Sequence, residues 1–176
     1  MKKLITIIIL LLPIMATAQK IEKNEIDKFT KQRLVETRME TLAKFNKWKS
    51  LKADNTKLNI SARFCNGEWN FPALIILDNC EKVTDQDGVW FLLENGETVI
   101  SKTAYTGIFE SSNIPGSSLW SFNTVLNINQ DDINLLKNYK ITDIRITVLG
   151  QNYDLPVEEG KQDLIKRMIS LIESKL

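Results

Sequence analysis

Two Asn-Gly pairs set between apolar runs constrain the fold of this chain more than any other feature. Asn66-Gly67 separates residues 58–64 from residues 68–77, and Asn95-Gly96 separates Val89-Trp90-Phe91-Leu92-Leu93 from residues 97–103. A tight hairpin turn needs positive φ at both central residues, and Asn-Gly accepts that conformation best. Two such hairpins in succession predict an antiparallel sheet. A two-residue loop at Asn95-Gly96 sets Leu93 opposite Thr98 and Phe91 opposite Ile100.

Residues 20–57 contain no glycine or proline. Val35, Thr37, Met39 and Thr41 alternate with Glu36, Arg38 and Glu40, which predicts a half-buried strand over 33–42. A short helix is expected around 42–51. Residues 105–119, rich in Ser, Gly, Thr and Asn, read as a polar loop carrying Tyr105, Phe109 and, at its border, Trp120. A strand over 119–128 follows. Asn129 or Asp131 can cap a short helix over 132–138, because their side-chain oxygens accept from unpaired amides. Alternation then predicts a strand over 141–149 and another over 153–157. The chain ends in a helix over 159–175, with Leu164, Ile165, Met168, Ile169, Ile172 and Leu176 on one stripe. The expected fold is α+β: a mainly antiparallel β-sheet, a short helix, and a C-terminal amphipathic helix packed on the sheet.

The first residues read as an address. Met1-Lys2-Lys3 is basic, Leu4 to Met15 is almost unbroken apolar, and Ala16-Thr17-Ala18 is a small-x-small cleavage signal. The apolar run is shorter than the roughly 20 residues that span a hydrocarbon core. The expectation is a signal peptide over 1–18 and a single domain over 19–176. Its compartment would be the periplasm or the exterior, with no stable membrane span after leader cleavage.

Charge argues against a nucleic-acid partner. The chain has 23 basic and 22 acidic residues, without the basic footprint that nucleic acid requires. Histidine is absent, which removes the usual near-neutral proton shuttle and the commonest zinc ligand. Cys65 and Cys80 leave two readings open. An even cysteine count in an exported chain favours a disulfide. A tight turn at Asn66-Gly67 instead sends Cys80 away along the returning strand, unless Pro72 breaks it. Bridged Cα atoms lie only about 4.4 to 6.8 Å apart.

Asp27-Lys28-Phe29-Thr30 leading into Leu34-Val35-Glu36-Thr37, the stretch Phe91-Leu92-Leu93-Glu94-Asn95-Gly96-Glu97-Thr98-Val99, and the strand–helix–strand–helix order after Phe122 together form a pattern. In these features the chain resembles a group of small exported bacterial proteins of unknown function. The resemblance implies an antiparallel α+β domain and carries over no catalytic residue.

Candidate chemistry is sparse. Asp85-Gln86-Asp87-Gly88 is similar to part of a calcium loop, with Glu94 where a bidentate glutamate would sit. That register puts Val83 at the first ligand position, where a carboxylate is needed, so a polar turn is the better reading. Ser101 and Lys102 are adjacent on a predicted strand and point to opposite faces. Asp131-Asp132 and Glu158-Glu159 stand at helix starts, where capping and the helix dipole account for them. The four tryptophans, Trp48, Trp69, Trp90 and Trp120, could offer flat faces to a sugar or peptide. Trp69 and Trp90 sit in apolar runs that suit core packing, which leaves Tyr105, Phe109 and Trp120 as the binding candidates. The expected function is an exported, non-enzymatic binding or interaction domain for a protein or glycan ligand, without cofactor, metal or catalytic residue. The alternatives are an envelope or extracellular polymer hydrolase using distant carboxylates, and an inhibitor or accessory subunit acting through loop 105–119.

Overall fold

Alternating burial along 57–60, 71–77, 89–93 and 121–127 sets those segments as strands with one face toward a core. The computed structural model describes residues 19–45, 56–78, 88–114, 117–148 and 150–176, with backbone alone for Asp78, 103–114 and 117–119. Among these residues the strands are β1 (Ile21–Ile26), β2 (Arg33–Thr37), β3 (Glu40–Lys44), β4 (Lys57–Ile60), β5 (Arg63–Cys65) and β6 (Glu68–Asp78). They continue as β7 (Gly88–Leu93), β8 (Thr98–Ile114), β9 (Ser117–Asn127), β10 (Ile141–Val148) and β11 (Gln151–Pro156). Helix α1 (Gln130–Asn138) joins β9 to β10. A short 3-10 turn (Glu159–Lys161) leads into helix α2 (Leu164–Glu173). The fold is mainly antiparallel sheet with a C-terminal helix.

Every ladder is antiparallel, in the order β1-β2-β5-β6-β9-β8-β7-β10-β11, with β4 pairing β6 and β3 pairing β4. Strands β3 and β11 lie at opposite ends of the run β3-β4-β6-β9-β8-β7-β10-β11, yet they contact one another. The sheet therefore curls until its edges meet. Ion pairs tie the seam: Lys161 Nζ reaches Glu40 Oε2 at 3.1 Å, and Lys44 Nζ reaches Glu158 Oε1 at 3.5 Å.

The inward face supplies one core. Leu58, Ile60, Phe71, Ile75, Phe91, Val99, Phe122, Leu126, Ile144 and Ile146 are buried together with Ile133 and Leu136 of α1. Helix α2 adds Leu164, Ile165, Met168, Ile169 and Ile172. Burying each such side chain contributes about 1.5–3 kcal/mol relative to leaving it in water. Asn129 caps α1 through Oδ1, which accepts from Asp132 N at 2.8 Å. The two helices are joined by Lys137 Nζ and Glu173 Oε1 at 2.6 Å.

Several sequence expectations are corrected. The strand expected over 33–42 breaks at Arg38-Met39, because β2 pairs with β1 and β5 whereas β3 pairs with β4. Residues 42–44, expected to open a helix, are strand, with Ala43 opposite Leu58 and Lys44 opposite Lys57. Sheet pairing overrides the local helical period there. Residues 46–51 of that expected helix lie outside the described residues.

The loop expected over 105–119 is strand on both sides of Pro115-Gly116, which themselves lie outside the described residues. β8 runs to Ile114 and β9 starts at Ser117, with Tyr105 opposite Thr124 and Phe109 opposite Ser121. The polar and glycine positions are absorbed as register shifts at Tyr105/Gly107 and Ser111/Ile114, as β-bulges absorb extra residues.

The second Asn-Gly turn differs in length. Gly96 N donates to Leu93 O at 2.9 Å and Leu93 N donates to Glu97 O at 2.9 Å, closing a three-residue loop, Glu94-Asn95-Gly96. Only Gly96 has positive φ, +87°, and Asn95 Oδ1 accepts from Glu97 N at 3.0 Å. This is the bulged hairpin with glycine at its left-handed position. The register therefore moves by one: Leu92 faces Thr98, Phe91 faces Val99 and Trp90 faces Ile100. At Asn66-Gly67 both φ values are positive, +59° and +83°, and Cys65 faces Glu68 across a two-residue turn.

Pro72 does not break β6. Its carbonyl accepts from Ser61 N at 2.9 Å, at the interruption between β4 and β5, so its missing N–H falls where the ladder is already open.

Candidate functional site

Burial of Val89, Phe91 and Leu93 on the inner face of β7 forces Trp90 and Leu92 outward, because strand side chains alternate. The register then assembles their neighbours. Ile100 of β8 lies opposite Trp90 on one side, Arg145 of β10 lies opposite it on the other, and Asp154 of β11 lies opposite Arg145. A parallel row runs Thr98, Leu92, Asp143, Pro156. Trp90, Leu92 and Ile100 are 38%, 39% and 50% exposed. Six of these side chains (Trp90, Leu92, Thr98, Asp143, Arg145 and Asp154) border a depression of about 370 Å³.

The charges on this face are ordered. Arg145 Nε donates to Asp154 Oδ1 at 2.6 Å and Nη2 donates to Oδ2 at 2.8 Å. This fork holds the Asp154 carboxyl below the ordinary carboxylate range, through the hydrogen bonds first and the charge of Arg145 further. A carboxylate engaged on both oxygens and kept ionised is poorly suited to donate a proton, which glycoside hydrolysis asks of one member of its acid pair. Asp143 makes no ion pair or side-chain hydrogen bond among the described residues. What the face offers chemically is apolar contact area, a fixed guanidinium–carboxylate pair and one free negative charge.

Comparison with protein-family models, curated proteins and solved structures returns no match for this chain.

The residues singled out from the sequence lie elsewhere. Tyr105 and Phe109 are on β8, not on a loop, and Trp120 is on β9. Trp120 is half-buried, packs against the core and stacks on Phe122 with ring centroids 6.3 Å apart. Trp90, expected in the core, points outward. Trp69 is half-buried, edge-on to Phe64 at 5.2 Å. Cys65 carries a free thiol. β6 runs unbroken from Glu68, opposite Cys65, to Asp78, a reach of up to about 33 Å. Cys80, Trp48, Asp85 and Asp87 lie outside the described residues, as does the 1–18 segment.

The other candidates have structural roles. Ser101 is buried and its hydroxyl donates to Asn127 O at 3.1 Å, while Lys102 faces solvent. Glu94 Oε1 accepts from Lys140 N at 3.0 Å, which ties the hairpin to the start of β10. Asp131 and Asp132 occupy the first turn of α1. Among the described residues no three His, Cys, Asp or Glu side chains gather as metal ligands, and no helix is long and apolar enough to cross a membrane.

Sequence reasoning missed Leu92, Ile100, Asp143, Arg145 and Asp154. The signal for Leu92 was present in the alternation of Val89, Phe91 and Leu93. Ile100 lies one position along the expected Asn95-Gly96 hairpin, whereas bringing Asp143, Arg145 and Asp154 beside Trp90 depends on the pairing of β7 with β10, far apart in sequence.

Proposed function

We propose that this chain is an exported, non-enzymatic binding domain that docks a partner protein on the outward face of β7, β8 and β10. The observation that carries this reading is the exposure of Trp90 beside Leu92 and Ile100, on strands whose inward residues Val89, Phe91, Val99, Ile144 and Ile146 are buried. Such a cluster has the make-up of an interface centre, where aromatic and arginine side chains dominate binding energy inside a polar rim. The free carboxylate of Asp143 and the pairing of Asp154 define the complement. The partner presents an apolar side chain to the Trp90–Leu92–Ile100 triangle and a Lys or Arg to Asp143. The basic start, apolar run and small-x-small site of residues 1–18 support export as the route to that partner.

The test is site-specific photocrosslinking in the producing cell. A photoreactive residue at position 100 should trap one partner, and the same residue at Lys166, on the outer side of α2, should not. Equal trapping from both positions, or none from position 100, would contradict the assignment.

A further inference from the structure

Lys102 of β8 stands opposite Gly88, and Asp143 of β10 stands opposite Leu92. Gly88 and Leu92 flank Trp90 at two residues' distance along β7, and all of these positions share the outward face. Lys102 therefore lies one strand to one side of Trp90 and one row above it. Asp143 lies one strand to the other side and one row below. Trp90 is the midpoint of the diagonal that joins the two charges. Its indole leans along the strand over Gly88, where an added Cβ would meet Nε1 at 3.7 Å.

The charges on this face balance. The rows through Gly88, Trp90 and Leu92 carry Lys102, Arg145, Asp143 and Asp154. Arg145 and Asp154 satisfy one another. Farther out, Thr147 Oγ1 donates to Asn152 Oδ1 at 2.9 Å. Lys102, like Asp143, is exposed and makes no ion pair or side-chain hydrogen bond among the described residues. One cation and one anion are thus left over, on opposite sides of an apolar centre. A basic partner surface gains at Asp143 and loses at Lys102, and an acidic one does the reverse. A second copy of the same face meets both.

From this diagonal and this balance we infer that the partner docked on the Trp90 face is a second copy of the chain, an inference that rests on the docking role proposed above. A two-fold axis between two stacked faces, passing over Trp90 at right angles to the diagonal, carries Lys102 of each copy onto Asp143 of the other. Such an interface is self-complementary, as two-fold contacts must be. The same rotation brings Ile100 beside Leu92 of the other copy and sets the two indoles together on the axis. Sheets pack about 10 Å apart, a gap that a lysine side chain spans. By strand spacing the face covers only about 400 Å² in outline per copy, the scale of a transient contact.

The experiment is sedimentation equilibrium of the chain purified from the producing cell. Association to a dimer should appear between about 10 μM and about 1 mM, as a contact of this size allows. Trp90→Ser should weaken it about tenfold or more. Lys102→Glu and Asp143→Lys alter exposed side chains, so each should keep its melting temperature. Each alone should be monomeric, because it sets like charges across the axis. Mixed in equal amounts the two should pair again, since each reversal supplies the charge that the other lacks. A wild type that stays monomeric to about 1 mM, or a mixture that fails to pair, overturns the proposal. A different protein trapped from position 100 overturns it too, yet leaves the Trp90 face standing as a docking site. No product from position 100 removes both.

Discussion

Arg145 grips both carboxylate oxygens of Asp154 from the directly opposed position on the neighbouring strand, at 2.6 and 2.8 Å. The pair is partly open to water, so its worth lies in fixing charge beside Trp90 more than in stability. Its pH signature has a definite sign. The folded Asp154 carboxyl titrates below the unfolded value, near 3.9. Its contribution is complete above that value and fades as pH falls toward the folded midpoint. Side-chain NMR titration should place the Asp154 midpoint below the ordinary aspartate range, and Arg145→Ala should return it there. An unchanged midpoint in Arg145→Ala would show that the fork does not form.

Glu36 is the most buried carboxylate among the described residues, and it braces the junction of β2, β4 and β5. It accepts from Arg63 Nε at 3.1 Å, Arg63 Nη2 at 3.2 Å and Ser61 Oγ at 3.3 Å, with Lys23 Nζ at 3.7 Å. Glu36→Ala strands the Arg63 charge and the Ser61 hydroxyl. Urea unfolding should show a loss of about 2–4 kcal/mol. A loss below about 0.5 kcal/mol, the level of an ordinary surface change, would mean that the network is idle.

Helix α2 closes the core with side chains from one face. Ile169→Ala leaves a cavity at a position with no exposure, and the expected cost is about 2–5 kcal/mol. Lys166→Ala, one turn away on the exposed side, should change stability by less than about 0.5 kcal/mol. Similar losses from both would place the helix off the sheet.

The hairpin at Glu94-Asn95-Gly96 can be tested at its glycine. Gly96 has φ of +87° and a Cβ added there meets nothing within 4 Å, so the penalty of Gly96→Ala is conformational alone. A loss of about 1 kcal/mol is expected, and thermal unfolding measures it. A neutral Gly96→Ala would favour a different loop geometry.

These tests probe what was and was not legible in the residues. Local turn chemistry marked both hairpins, and the stripe Leu164, Ile165, Met168, Ile169 and Ile172 marked the terminal helix. The register at Asn95-Gly96 differs by one from the sequence expectation because an Asn-Gly pair also fits a bulged three-residue loop, and only the bonds from Leu93 N to Glu97 O and from Gly96 N to Leu93 O distinguish the two. The length of β8 was hidden because Thr106-Gly107 and Ser111-Ser112-Asn113 carry turn composition while lying in or beside bulged strand. β1 was hidden for another reason: Glu22, Lys23, Asn24 and Glu25 give an edge strand a charged surface that discourages further pairing. The Trp90 face needed long-range pairing to become visible, since Ile100, Arg145 and Asp154 come together only through three ladders.

A Trp90 that anchors a partner without holding the fold together separates binding from stability. The decisive comparison is the affinity of the partner crosslinked at position 100 for the wild type and for Trp90→Ser, taken with the melting temperature of each. Affinity should fall about 30-fold or more, the cost of losing an interface anchor, with little change in melting temperature. Equal affinity for the two proteins would contradict it.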